Sequence, residues 1–164
     1  MKNHNEIVSP LNLAFSPYDE RFLEKSWAWL NDPEIKALTL TPDFTREGQK
    51  CWFRSLPERS DYRIWGISCD GIPVGAIGLK HITANDAEYW GYIGERRLWG
   101  LGLGKRMVQF ALEQAIGLCL KEVYLKVHST NTRAVRLYTR AGFQADGEAE
   151  DLLVMRKHLA RINP

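Results

Sequence analysis

The stretch Arg97-Leu98-Trp99-Gly100-Leu101-Gly102-Leu103-Gly104-Lys105 carries the most specific chemical pattern in the chain. Its three glycines at alternate positions, bracketed by Arg96, Arg97, Lys105 and Arg106, predict a bare backbone loop feeding a helix N-terminus. Such a loop aims several N–H groups, with the positive end of the helix dipole, at a bound phosphate. The missing side chains let that phosphate come close to the backbone. The spacing excludes two phosphate binders. A dinucleotide fingerprint reads G-x-G-x-x-G with an acidic residue about 20 positions on, at the end of the next strand. Here the third glycine arrives a residue early, and Glu122 stands at the start of the following strand-like run. A P-loop needs glycine five positions before Gly104 and a hydroxyl residue after Lys105, where the chain has Trp99 and Arg106.

A second constellation runs from Asn131 to Phe143. Asn131 sits where a helix N-cap belongs, and Tyr138 follows two turns later, so Asn131, Ala134 and Tyr138 share a face. A phenol held this way is a positioned proton donor, although the same pattern suits a capped helix with a core tyrosine. Among carboxylates and imidazoles, Glu88 on a strand-like run is the first candidate for a base. His128 and His81, both at strand ends, follow it, and Glu95 reads as an ion-pair partner of the basic loop.

Those residues need elements to hold them. A short strand is expected at Leu11 to Phe15, ended by Ser16-Pro17. A helix is expected from Asp19, with Phe22, Leu23, Trp27 and Leu30 at helical spacing and a stop at Asn31-Asp32-Pro33. Ile35 to Leu40 reads as a helical turn, and Thr45 caps a further helix that Pro57 ends. Tyr62 to Cys69 and Val74 to Ile82 read as strands joined by Asp70-Gly71, a strong hairpin signal. A third strand, Ala87 to Ile93, leads into the glycine loop and a helix reaching about Leu118. Val123 to Val127 is strand-like, Asn131 to Ala141 helical with Gly142 as its stop, and Phe143 to Asp146 and Leu152 to Met155 end the chain as strands. Hairpins mixed with crossovers predict an α/β protein with a mixed sheet and helices on both faces.

The 164 residues suit a single domain, 1–164, and apolar and charged fractions of 45% and 26% are those of an ordinary globular protein. A formal charge of +2 with scattered basic residues argues against a broad nucleic-acid footprint. No apolar run approaches a membrane span, and Met1 to Pro10 is too polar for a signal-peptide core. Three cysteines without metal or redox spacing point to reduced thiols, hence a cytoplasmic setting. No metal-ligand motif is present.

Arg-x-x-Gly-x-Gly, from Arg97 through Gly102, resembles the pyrophosphate-binding motif of the GNAT superfamily of acetyl-CoA-dependent N-acetyltransferases. Asn-x-x-Ala-x-x-Leu-Tyr-x-x-x-Gly-Phe, from Asn131 to Phe143, is similar to the cofactor-side helix of the same enzymes, and the order of elements matches their fold along nearly the whole chain. The resemblance implies a single GNAT domain with a mostly antiparallel sheet, whose fourth and fifth strands run parallel and splay apart. Acetyl-CoA is then the co-substrate, with no metal. Backbone groups near Tyr92, Ile93 and Gly94 hold the pantetheine arm. Amides of Gly100, Leu101, Gly102 and Gly104 cradle the diphosphate, with charge from Arg97 and Lys105. Asn131 bonds the pantetheine or a water, and Arg133 or Arg136 reaches the nucleotide phosphates. Tyr138 protonates the departing thiolate, while Glu88, His128, His81 or a water takes a proton from the amine. Thr45-Arg46-Glu47 with Trp52-Phe53, and Ala87 to Gly94, look similar to the branches that acetylate nucleotide-linked amino sugars and N-terminal amines of ribosomal proteins. A small amine acceptor is expected, an amino sugar ahead of a peptide. The rival readings are a non-catalytic acetyl-CoA sensor and a toxin-like enzyme acting on aminoacyl-tRNA. An exposed last strand would offer an edge for a homodimer.

Overall fold

The structure, a computed structural model, describes residues 11–160. They form one seven-stranded sheet in the order β1-β2-β3-β4-β5-β7-β6. The strands are β1 (Leu13–Pro17), β2 (Arg63–Cys69), β3 (Ile72–Lys80), β4 (Asp86–Ile93), β5 (Glu122–His128), β6 (Gln144–Ala149) and β7 (Leu152–His158). The helices are α1 (Glu20–Asn31), α2 (Pro33–Leu38), α3 (Arg46–Ser55), α4 (Leu103–Gly117) and α5 (Thr132–Arg140). Every adjacent strand pair is antiparallel except β4–β5. The fold class is thus the expected mixed α/β sheet with one parallel pair.

Local chemistry accounts for the joints. Asp70 and Gly71 both take positive φ, 50° and 78°, the requirement of a two-residue hairpin turn whose twist suits β2 and β3. Asp19, Asp32, Thr45 and Asn131 each accept a backbone N–H at the start of α1, α2, α3 and α5. Pro17, expected to stop the first strand, is its last residue; β1 is an edge strand, where a missing N–H leaves no ladder bond broken.

One face of the sheet packs against α4 and α5. Leu103, Met107, Val108, Ala111 and Ala115 bury themselves on Ile77, Leu79, Tyr89, Val123 and Leu125. The opposite face of β2 to β4 takes α1 and α2, and α1 lies close to the strands because glycines admit it. A Cβ on Gly66 or Gly94 would stand 2.2 Å from ring atoms of Phe22 or Trp29.

The last strand is not the edge. β7 lies between β5 and β6, and the outer strand is β6, exposed along its length and charged at Asp146 and Glu148. Charge on an edge discourages strand addition, so the expected dimer edge at the last strand is withdrawn: β7 spends its hydrogen bonds on two neighbours.

Candidate active site

β4 and β5 pair over three positions only, Asp86 with Glu122, Ala87 with Val123 and Glu88 with Tyr124. Both strands continue, to Ile93 and His128, without pairing again. An unpaired stretch inside a sheet leaves backbone donors and acceptors that something else must satisfy.

The register with β3 identifies those groups. Gly94 N–H donates to the Val74 carbonyl at 2.7 Å, and pairs along an antiparallel ladder alternate between bonded and non-bonded. Tyr92, Trp90 and Glu88 therefore turn their backbone groups toward β3, whereas Ile93 and Gly91 turn theirs into the opening; Tyr89 shares their parity, but its N–H closes the last rung on the Tyr124 carbonyl and only its carbonyl is left to the opening. Asn85 follows the same parity: its carbonyl accepts from Lys121 and Glu122 on the β5 side. Of the three residues expected to hold the arm by their amides, Ile93 faces the opening, but Tyr92 and Gly94 do not, because β3 already holds them. Gly91 was missed, since ladder parity is absent from sequence. The Ile93 carbonyl accepts the Trp99 indole at 2.8 Å, which leaves its N–H as the group on offer at the mouth.

That mouth opens onto the glycine loop. A short 3₁₀ turn, Arg96–Leu98, leads to Gly100 and Gly102 at φ 81° and 77°. Gly102 caps α4 with no side-chain hydrogen bond, and no acidic residue lies in the first turn. The opening N–H groups of α4 are thus free for an anion. Gly104 sits in that turn for a packing reason as well: a Cβ there would meet Leu137 of α5 at 2.6 Å. A Cβ on Gly100 would stand 3.3 Å from the Arg133 guanidinium, so α5 delivers a cation to the loop. Among the described residues, Arg97, Lys105, Arg133 and Arg136 are exposed and form no ion pair. Arg96 is engaged elsewhere, with Asp32 and Glu34 at the head of α2. Glu95, expected to pair with the basic loop, instead accepts the Trp29 indole at 3.2 Å.

Asn131 accepts the Ala134 N–H at 3.2 Å as a helix cap, so its side-chain amide N–H₂ is what it has left to offer a ligand. One face of α5 carries Tyr138 onto the sheet, where its ring meets Tyr89 at 6.1 Å and Phe143 at 6.0 Å, both edge-on. Its hydroxyl has no hydrogen-bond partner among the described residues and is not among the fully enclosed polar atoms. Burial pushes the phenol up to about 12, so it stays protonated across the neutral range. Tyr89, fully buried beside it, is likewise pushed well above the ordinary phenol value by desolvation.

Glu88 lies on the other face of the sheet, at the last pair before the strands part. It is 5% exposed, not solvated. Oε1 stands 3.8 Å from Lys80 Nζ and Oε2 3.2 Å from His81 Nδ1, yet Oε2 has no aligned hydrogen bond. His128 ends β5, half-buried, with no carboxylate in reach among the described residues. The opening thus has a carboxylate on one face, a phenol on the other, and an anion-binding helix end at its mouth.

A match to the acetyltransferase (GNAT) family spans residues 22–143, taking in α1, the parted strands, the glycine loop and α5. The chain belongs to the acetyltransferase (GNAT) family. Among curated relatives, the spermine/spermidine N(1)-acetyltransferase of Bacillus subtilis is 39% identical over 57 residues, 34% of this chain and 38% of that protein. The uncharacterized protein MJ1062 of Methanocaldococcus jannaschii is 26% identical over 145 residues, 87% of this chain and 30% of that protein. The chain therefore spans about a third of the length of the curated relatives it matches. A domain from M. jannaschii has the same fold at a TM-score of 0.79 and 21% identity, covering 91% of this chain and 99% of that one. So does a Vibrio cholerae spermidine N-acetyltransferase in complex with CoA and spermine, at 0.79 and 19%, covering 90% and 94%. No helix among the described residues of this GNAT chain is long and apolar enough to cross a membrane.

Proposed function

We propose that this protein transfers the acetyl group of acetyl-CoA directly to a primary amine. The observation that carries the reading is the parting of β4 from β5 after three pairs, with the inward amides of Gly91 and Ile93 leading to the uncapped start of α4. The pantetheine arm, itself built of amide units, fits that opening as a substitute strand. The amides from Leu101 to Lys105, with Arg97, Lys105 and Arg133, suit the diphosphate, and Arg136 the nucleotide end. Asn131 supplies N–H groups to the arm.

The two faces divide the proton work. An ammonium carries three N–H bonds and the amide product of a primary amine keeps one. One proton must leave before attack and one during collapse of the tetrahedral oxyanion. Glu88 takes the first, from the face of α1 to α3. The second ends on sulfur, beside Tyr138. Burial raises the phenol to about 12, so it meets the developing thiolate as a protonated donor. Tyr138 therefore stabilises sulfur by hydrogen bonding as charge develops, and the proton crosses as the acidic N–H of the intermediate replaces it.

The acceptor is a small primary amine, an amino sugar on the resemblance of Ala87 to Gly94 and of the α3 segment. A half-buried aromatic surface of Trp52, Tyr62 and Trp90 on the Glu88 face supports it, since such rings accept the apolar face of a sugar. A polyamine is the second reading, favoured by the 57-residue match to the Bacillus enzyme. Release of free thiol from acetyl-CoA, measured against a nucleotide-linked amino sugar, glucosamine, spermidine and a free tripeptide, tests both. Release with one class of amine supports transfer. Binding of acetyl-CoA without release with any of the four would make the protein a sensor.

A further inference from the structure

Glu88 is enclosed, and an enclosed carboxylate that takes a proton each turnover must pass it on. We propose that His81 is the exit: a proton-relay residue that carries the proton from Glu88 Oε2 to solvent. This rests on the reading of Glu88 as the base.

The geometry favours His81 over its neighbours. Oε2 is out of contact with water and lacks an aligned hydrogen bond, and its nearest side-chain partner is His81 Nδ1 at 3.2 Å. The His81 side chain is 60% exposed, against 6% for that of Glu88, so one imidazole spans the distance from enclosed carboxylate to water. Lys80 is also near, at 3.8 Å from Oε1, but an ammonium has no lone pair and cannot accept a proton. The backbone is set up for the contact. His81 holds φ 52°, a left-handed conformation that non-glycine residues seldom adopt. The next residue is tied down where Ile82 N–H donates to the Asp61 carbonyl at 3.0 Å. From there the imidazole stands against Glu88 of β4, Nδ1 lying 3.2 Å from Oε2. A left-handed residue beside a functional carboxylate is where strain is worth retaining.

The proton steps balance. An N–H of the acceptor ammonium breaks as an O–H forms on Glu88. With its own proton on Nε2, His81 presents the Nδ1 lone pair to Oε2 and takes that proton, which makes an imidazolium. Nε2 then releases a proton to water, and a tautomer exchange through solvent resets the ring. One proton reaches solvent per acetyl transferred, as the conversion of ammonium and thioester to amide and thiol requires. The charged and titratable groups around the pair are Lys80 from β3, Asp61 from the segment before β2, Asp86 on β4 and Tyr124 on β5, with Arg156 of β7 lying 4.9 Å over the Tyr124 ring.

The test uses His81→Asn, which keeps the left-handed backbone because asparagine tolerates it, beside His81→Ala and Glu88→Gln. Turnover is followed by thiol release with the best amine of the panel, from pH 6 to 9, with thermal unfolding as a check on the fold. His81→Asn should lose about 10- to 100-fold in turnover, toward the low end of proton-transfer catalysis. The KM values for acetyl-CoA and amine should hold, and the loss should be largest at the acid end, where more of the amine arrives protonated. Added imidazole should restore His81→Ala and leave the parent protein unchanged. Full turnover in His81→Asn, or a loss that imidazole does not restore and that is flat with pH, overturns the relay. If Glu88→Gln is inert while His81→Asn is unaffected, the relay fails and Glu88 stands as base. Full turnover in Glu88→Gln removes the base and the relay together.

Discussion

Tyr138→Phe deletes one hydroxyl and nothing else, and its effects on fold and on chemistry should separate. The hydroxyl has no protein partner among the described residues, while the ring is held by Tyr89 and Phe143. Losing a hydroxyl without a partner leaves no group unsatisfied, so stability at neutral pH should stay within about 0.5 kcal/mol or rise slightly. Turnover should fall by about 10²- to 10³-fold, roughly 3–4 kcal/mol, the usual value of one donor aimed at developing charge. The KM for acetyl-CoA should change little, because the donor acts on charge that the ground state lacks. The alkaline limb of stability supplies an independent reading. The folded phenol is raised from 10 to about 12. Its contribution is therefore fully present below pH 10, where both states hold the proton, and is lost as pH rises through 12. The shift amounts to roughly 3 kcal/mol between those limits. Phenylalanine cannot ionise, so the variant should lose stability less steeply in that window. Thiol release and urea unfolding at pH 7, 10 and 11 measure all of this. Unchanged turnover would refute the donor role, and a large loss of stability at pH 7 would show that the hydroxyl belongs to the core.

Gly102→Ala meets open space but must hold φ 77°, a strain of about 1–2 kcal/mol. It should raise the KM for acetyl-CoA more than it lowers turnover, and Gly102→Asn should do less harm, as steady-state kinetics can show. Arg133→Ala removes a cation from beside Gly100. Acetyl-CoA binding by titration calorimetry should weaken several-fold, with a shallower dependence on salt. Gly75→Ala would place a Cβ 2.2 Å from the Tyr92 carbonyl oxygen, a backbone atom that cannot step aside without parting β3 from β4. Circular dichroism should find it unfolded or melting far below the parent. Arg96 holds the Asp32 carboxyl below its usual range. That contribution is present above the ordinary carboxylate value and lost as pH falls through the lowered one. Arg96→Ala should accordingly show its small loss of melting temperature at pH 7, and the gap from the parent should narrow as pH falls below the ordinary carboxylate range.

The sequence alone was enough for the elements and for the two constellations. Caps at Thr45 and Asn131, the Asp70-Gly71 turn and the bare loop from Gly100 to Gly104 act through neighbours in the chain. Their outcome follows from residue type and spacing. What the tertiary structure decided is what depends on partners far along the chain. Ladder parity with β3 selected Gly91 and Ile93 over Tyr92 and Gly94, because a strand has only two sides for hydrogen bonding and β3 had taken one. Insertion of β7 between β5 and β6 removed the expected edge. The register of β3 with β4, which sets Lys80 opposite Glu88, turned Glu88 from one strand carboxylate among many into an enclosed one facing His81. Sequence can say that a residue is able to donate or accept a proton; whether water reaches it is settled by the strands and helices packed around it.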